Sequence, residues 1–337
     1  MDIEITTPNR IDLAGGTTDL HPLYLFLEGG CTVNLAISVN SCVNLRTQTD
    51  RSVSIFSKDL GESQRARDPI SLDTQGPLGL IARTVKVLPP ETGLDITTFN
   101  EAPAGSGLGA SSALTTALLG GLLKLRGWEK SPDDIIRLAT DIETAAIGVP
   151  AGSQDHIAAY YGGISLIDFG YHGFVRRDCT LEPQWKDRLE EMIILSYTGE
   201  GRFSGMNNWE IIKNFIDDRD SIREKLLQIR DIALEMCDVV MDAQWNKLPA
   251  LVNREWTLRR SLAAGVTNAR IDSIMASAVK AGAMANKICG AGGGGCMITL
   301  VENKKRSAVE QAILDEGGLV IPFKINTTGM TITQSGS

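Results

Sequence analysis

Four stretches of this chain gather residue types that handle phosphate or hydroxyl groups. From Pro103 the chain reads Pro-Ala-Gly-Ser-Gly-Leu-Gly-Ala-Ser-Ser-Ala. Gly105, Gly107 and Gly109 leave backbone N–H groups uncovered. The apolar run behind Ser111 reads as a helix whose unpaired N–H groups and positive dipole end aim at the same spot. That combination makes a phosphate site. A second amide-rich loop runs from Lys287 to Gly295. A third stretch, Glu143 to Asp155, carries an acid on either side of a Gly/Pro turn. The fourth, Pro8 to His21, puts Arg10 on a short strand and Asp19 beyond a Gly-Gly turn. A carboxylate among threonines suits hydrogen bonds to a polyol.

Two standard phosphate motifs fail. A Walker loop requires a lysine that neither glycine loop carries at the needed place. The spacing of Gly105, Gly107 and Gly109 is not that of a dinucleotide fold, and no strand-end acid follows about 20 residues on. The formal net charge of −8 argues against nucleic acid, which needs a basic face. Six cysteines without a close C-x-x-C pair argue against zinc and for free thiols in a reducing compartment. No basic-then-apolar leader and no membrane-length apolar run is found, so a cytoplasmic protein that avoids membranes is expected.

These stretches need elements to hold them. The 337 residues suit two domains. Apolar residues make up 43% and charged residues 22%, an ordinary globular balance. Residues 2–6 and 10–14 read as short strands broken at Pro8. The runs 31–37 and 42–47 read as two paired strands. Helices are expected at 78–87, 110–126 and 132–147, the last opened by Ser131-Pro132-Asp133-Asp134. Strands follow at 94–99, 164–169 and 192–196. Amphipathic helices cover 205–236 and 243–262. The C-terminal third alternates a helix (268–281), a strand (296–301), a helix (304–316) and strands (319–323, 329–333). Mixed elements in two blocks give an α+β class, divided between 170 and 190, as domains 1–180 and 181–337.

In this order the four stretches resemble the GHMP kinases, named for galactokinase, homoserine kinase, mevalonate kinase and phosphomevalonate kinase. Pro103 to Ala113 is similar to that family's P-x-x-x-G-L-G-S-S-A loop, and Lys287 to Gly295 to its K-x-x-G-A-G-G-G-G. Arg10 to Leu20, Gly162 to Phe169 and Tyr197 to Arg202 resemble the sugar-kinase branch, heptose-phosphate kinases above all. The resemblance implies an N-terminal domain like domain 2 of ribosomal protein S5 and a ferredoxin-like C-terminal domain, with ATP between them.

It also implies roles. Asp155 would be the catalytic acid/base and Arg10 its partner, keeping it ionised and stabilising developing charge. Pro103, Gly105, Ser106, Gly107, Leu108, Gly109, Ala110, Ser111 and Ser112 would hold the nucleotide phosphates. Ser111 and Glu143 would hold Mg2+. Gly16, Thr18, Asp19, Gly152 and Arg202 would face the acceptor. Gly290 to Gly295 would support the site wall. Lys287 reads as a surface or loop residue, and His21 and His156 as hydrogen-bonded structural residues. The expected reaction is transfer of the γ-phosphoryl of ATP to a hydroxyl, anomeric by preference, of a sugar or sugar phosphate such as heptose 7-phosphate. Two alternatives stay open: a non-sugar acceptor of mevalonate or homoserine type, and a silent sensor of sugar and ATP. Beyond a small-molecule substrate, a homodimer is left open.

Overall fold

The computed structural model describes residues 1–201, 204–217 and 221–335. In chain order the first half holds β1 (Asp2–Ala14), α1 (Leu23–Phe26), β2 (Gly30–Gln48), β3 (Val53–Ser57), β4 (Glu62–Ala66), α2 (Gly79–Val87), β5 (Gly93–Asn100), α3 (Ala110–Arg126), α4 (Pro132–Ile147), α5 (Gln154–Tyr161), β6 (Ile164–Gly170) and β7 (Gly173–Asp178). The second half holds α6 (Pro183–Met192), β8 (Ile193–Tyr197), α7 (Ser204–Ile216), α8 (Ile222–Met241), α9 (Leu248–Arg259), α10 (Ala269–Ala281), β9 (Ala283–Ile288), β10 (Cys296–Val301), α11 (Arg306–Asp315), β11 (Leu319–Ile321) and β12 (Thr331–Ser335).

The α+β class holds, with two sheets among the described residues. The larger runs β12-β1-β2-β5-β3-β4, with β6 and β7 added on the first part of β2. The smaller runs β11-β8-β10-β9. Every pairing is antiparallel except β3 with β5. The sequence reading erred at the spine. The runs 31–37 and 42–47 are one strand of 19 residues, not a hairpin. Ser38 to Ser41 contains no glycine to turn the chain back, and β1 stays paired across that stretch by a register shift between Pro8 and Asn9. Pro8 therefore marks an irregularity in one strand, not a break between two.

The helices that carry the site have clear local causes. Ser131 caps α4 by accepting from the Asp134 N–H, and left-handed Gly148 ends it. Gly109 enters α3 at φ +77° and Gly127 closes it at φ +62°. Gly121 lets α3 lie close on the sheet, because a Cβ there would meet Ile5 and Leu45 at 2.6 Å. Buried side chains of α3 pack with Ile3, Ile5, Val43, Leu45 and Ile96 of the sheet beneath.

A second core joins the halves. Ile11, Val33 and Leu35 pack with Ile232, Met236 and Val240 of α8 and with Leu195 and Ile298 of the smaller sheet. Division near residue 180 remains a proposal: β12, from the far end of the chain, pairs with β1 from Asp2↔Ser335 to Thr6↔Thr331. All six cysteines are free thiols. Among the described residues no helix is long and apolar enough to cross a membrane.

Candidate active site

A cleft of about 170 Å³ opens where the start of α3, the start of α5, the turn after β1 and the second glycine loop converge. Gly105, Ser106, Gly107 and Gly109 through Ser112 line one wall, and Arg10, Asp19, Gly152 and Asp155 line another. Gly105, Gly107 and Gly109 all have positive φ, between +68° and +77°. Ala110 to Ser112 begin α3, so their N–H groups lack helix partners and present a positive end to the cleft. Leu108 is buried beneath the loop, where its carbonyl accepts the Arg10 N–H at 2.9 Å. Pro103 sets the loop's first turn by accepting from the Ser106 N–H at 3.0 Å.

Arg10 and Asp155 meet at the centre. Arg10 Nε and Nη2 both lie 2.6 Å from Asp155 Oδ1, and Nη1 donates to the Gly107 carbonyl at 2.6 Å. One guanidinium thus ties the phosphate loop to the carboxylate. The Asp155 side chain keeps 20% of its surface open, enough for a ligand to reach. Burial pushes its pKa up; Arg10 opposes that shift and the nearby Glu143 charge adds to it. The result is a carboxylate more basic than usual.

Glu143 projects from α4 toward the start of α3. Ser112 Oγ donates to its Oε2 at 2.6 Å, and His156 Nε2 lies 3.0 Å from the same oxygen. Burial works against the Glu143 charge, but His156 and Ser112 more than offset it and hold its pKa below the usual value. The Ser112 hydroxyl is therefore turned to Glu143, while Ser111 stands exposed on the cleft wall. His156 is wholly buried and also meets Thr140 Oγ1 at 3.3 Å, so the hydrogen bonding expected of it is present.

The acceptor side is only partly as the sequence suggested. Asp19 is buried at the cleft, and its Oδ2 accepts the Gln154 N–H at 3.3 Å. Gly152 is bridged to Leu20, and a Cβ there would meet Asp19 Oδ2 at 2.0 Å. Thr18, however, turns inward. Its hydroxyl serves Gly15 and Cys31 backbone groups, and Thr17, at φ +79°, lines the cleft instead. Gly16 contributes its carbonyl to Arg259 at 2.7 Å. Arg202 lies outside the described residues.

This geometry agrees with the comparisons with known proteins. Residues 79–163 match the family described as GHMP kinases N terminal domain, and residues 243–318 match GHMP kinases C terminal. The chain thus carries both a GHMP kinase N-terminal and a GHMP kinase C-terminal domain match. It is 27% identical over 334 residues to the D-glycero-alpha-D-manno-heptose 7-phosphate kinase of Campylobacter jejuni, covering 97% of this chain and 98% of the other. Mevalonate kinase of Thermococcus sibiricus is 27% identical over 248 residues, 72% of this chain and 70% of that one. The crystal structure of a D-glycero-D-manno-heptose 1-phosphate kinase from Bacteriodes thetaiotaomicron superposes with a TM-score of 0.79 at 22% identity, covering 99% and 100% of the two chains. That likeness shows the shared GHMP kinase fold.

The sequence reading missed four buried charges beside this cleft and misplaced one of them. Lys287 is not at the surface. It is fully buried on β9, with Nζ 2.5 Å from Asp12 Oδ2 and 3.4 Å from Glu255 Oε1. Asp12 also accepts the Gly290 N–H at 3.1 Å. Burial disfavours the Asp12 charge, yet Lys287, Arg10 and Arg259 outweigh it and hold its pKa well below the usual range. Arg259 donates to the Gly16 and Gly290 carbonyls and lines the cleft. Alternation along β1 could have flagged Asp12, since it shares a face with Arg10.

Proposed function

We propose that this chain is an ATP- and magnesium-dependent kinase that transfers a phosphoryl group to a hydroxyl, the anomeric one by preference, of a sugar or sugar phosphate. The observation that carries the reading is the Arg10–Asp155 pair held against the glycine loop, with Asp19 behind it. Backbone amides from Gly105 to Ser112 would cradle the donor phosphates. Ser111 and Glu143, a hydroxyl and a carboxylate on one cleft wall, are the hard oxygen donors that fit magnesium, with phosphate oxygens and water completing such a site. Magnesium held there would offset charge on the phosphate oxygens.

Asp19 would accept hydrogen bonds from acceptor hydroxyls and fix the acceptor's orientation. Asp155 would then take the proton of the attacking hydroxyl, its raised pKa favouring that transfer. Arg10 would hold Asp155 in place and stabilise charge developing on the transferred group. The 27% identity to a heptose 7-phosphate kinase along nearly the whole chain supports a sugar-phosphate acceptor. A mevalonate-type acceptor is the second reading, favoured by the mevalonate kinase match over 72% of the chain.

Asp155→Asn is expected to lower kcat by roughly 10³-fold while ATP binding stays near wild type. ADP release measured over a panel of free sugars, sugar phosphates and mevalonate, with ATP affinity by calorimetry, checks both. Wild-type turnover in the variant would sink the assignment. Turnover of mevalonate alone would move it to the second reading.

A further inference from the structure

Six ionised side chains of alternating sign run through the interior from the acceptor turn to the catalytic carboxylate. Arg259 Nη1 lies 3.7 Å from Glu255 Oε1, which lies 3.4 Å from Lys287 Nζ. Lys287 Nζ lies 2.5 Å from Asp12, Asp12 lies 3.8 Å from Arg10, and Arg10 lies 2.6 Å from Asp155. The middle four expose at most 4% of their side chains. Burying that many charges is costly, and apolar side chains of like volume would stabilise the fold as well or better. Stability alone therefore does not explain the row.

What the row touches does. Asp12 takes the Gly290 N–H while Arg259 donates to the Gly290 carbonyl, so the two peptide groups that flank Gly290 in the second glycine loop are both fixed. Gly290 lies against Gly107, where a Cβ on either would come within 2.8 Å of backbone oxygen. Gly107 in turn accepts from Arg10. Lys287 sits at the middle, with an acid on each side. Without it, Asp12 and Glu255 would be two buried anions with only the arginines to balance them.

We propose that Lys287 is a positioning residue for phosphoryl transfer. Through Asp12 it fixes the aim of Arg10 and, with it, Asp155, and it locks the second glycine loop against the phosphate loop. The proposal rests on the kinase reading above for its catalytic consequence, but its effect on loop order is independent of that reading.

The test compares wild type with Lys287→Met and with the double variant Asp12→Asn/Lys287→Met. The single variant leaves an unpaired buried aspartate and need not fold. The double variant removes both charges, keeps side-chain volume and keeps an amide oxygen facing Gly290. It is expected to fold and to melt below wild type but above the single variant, because Glu255 keeps only Arg259 as its partner. Its kcat should fall about 100-fold, the cost of a misplacement near 1 Å. KM for ATP and acceptor should change less than about threefold, because ground-state binding is spared. Amide exchange in peptides covering 105–110 and 289–295 should quicken about tenfold or more, with α8 unchanged. A folded double variant with wild-type kcat, or with wild-type exchange in both loops, overturns the proposal. So does failure of both variants to fold, which makes the role structural. If wild type itself transfers no phosphoryl group, the kinase reading falls and the exchange comparison still decides on positioning.

Discussion

The two glycine-rich loops have similar composition and opposite uses. Gly105, Gly107 and Gly109 line the cleft, Gly107 also touching the Cys289 carbonyl of the second loop, and their loop leads into the free N–H groups of α3. In the second loop, Gly290, Gly292 and Gly295 press against protein backbone. A Cβ at Gly292 would meet the Val266 carbonyl at 2.7 Å, and one at Gly295 the Ser106 carbonyl at 2.5 Å. The Cys296 N–H also donates to that Ser106 carbonyl at 2.6 Å. The first loop presents amides to a ligand; the second is the surface that the first rests on. Glycine in one stretch serves chemistry and in the other serves close approach.

Matched alanine substitutions break this comparison most sharply. At Gly109, φ +77° and an approach of 3.0 Å to the Asp155 carboxyl mean that a methyl group strikes the carboxylate proposed as the base. Gly109→Ala should lower kcat about 100-fold and stability by about 1–2 kcal/mol, the cost of left-handed backbone. At Gly295 the obstruction is backbone oxygen, which cannot rotate away. Gly295→Ala should cost about 3 kcal/mol of stability, the larger stability loss of the two, while kcat per folded molecule falls less than in Gly109→Ala because the methyl presses on phosphate-loop carbonyls and not on Asp155. Thermal melts beside steady-state kinetics decide. Equal losses of turnover in both variants would mean that the loops share one role.

The difference between the loops also marks what was legible in the sequence. The first loop was readable because helix-start chemistry and a glycine turn are local, whereas the pairing of Arg10 with Asp155 was expected from the family resemblance alone. Helices α3 and α4 were readable because Gly109, Gly127, Ser131 and Gly148 punctuate them. The charge row was not: Asp12 comes from β1, Glu255 from α9 and Lys287 from β9, and only tertiary packing shows that a lysine beside a glycine loop is buried. Thr17 and Thr18 were confused because adjacent residues of a tight turn face opposite ways, and the left-handed Thr17 sets which one meets the cleft. The spine was misread because an uninterrupted strand pair with two register shifts resembles shorter strands joined by turns when only residue types are visible.

A smaller effect sharpens the account of the first loop's helix. The Ser112 hydroxyl aims at Glu143, not at the cleft, so its contribution runs through the carboxylate. Ser112→Ala should weaken the apparent magnesium affinity about tenfold, as removal of a ligand's hydrogen-bond partner does. Turnover at saturating magnesium should drop less. Magnesium titrations at fixed ATP read this directly. An unchanged titration would return Ser112 to the phosphates and leave Glu143 oriented by His156 and Ser111.

The smallest effect concerns the acceptor wall, where charge and not glycine sets the limits. Burial first, and the Asp155 charge second, raise the Asp19 pKa to about 6, against partial relief from the Gln154 N–H and Arg10. Because the folded-state pKa lies above the ordinary carboxylate value, the folded protein holds the extra proton between pH 4 and 6. Stability from this group is therefore greatest at low pH, falls as pH rises to about 6, and stays lower above it, by roughly 3 kcal/mol. Asp19→Asn should then melt higher than wild type at pH 7.5, even as it binds acceptor less well. Binding runs the other way with pH, since only ionised Asp19 accepts hydrogen bonds at both oxygens. Acceptor KM should rise about fourfold between pH 7.5 and 5.5 for a group titrating near 6, with KM for ATP flat. In Asp19→Asn the acceptor KM should lose that slope, leaving Asp155 to shape kcat alone. A wild-type KM that ignores pH, or a variant that keeps the slope, would place the acceptor's anchor elsewhere on the wall. A variant no more stable than wild type at pH 7.5 would mean that the cleft hydrates Asp19 enough to relieve its burial.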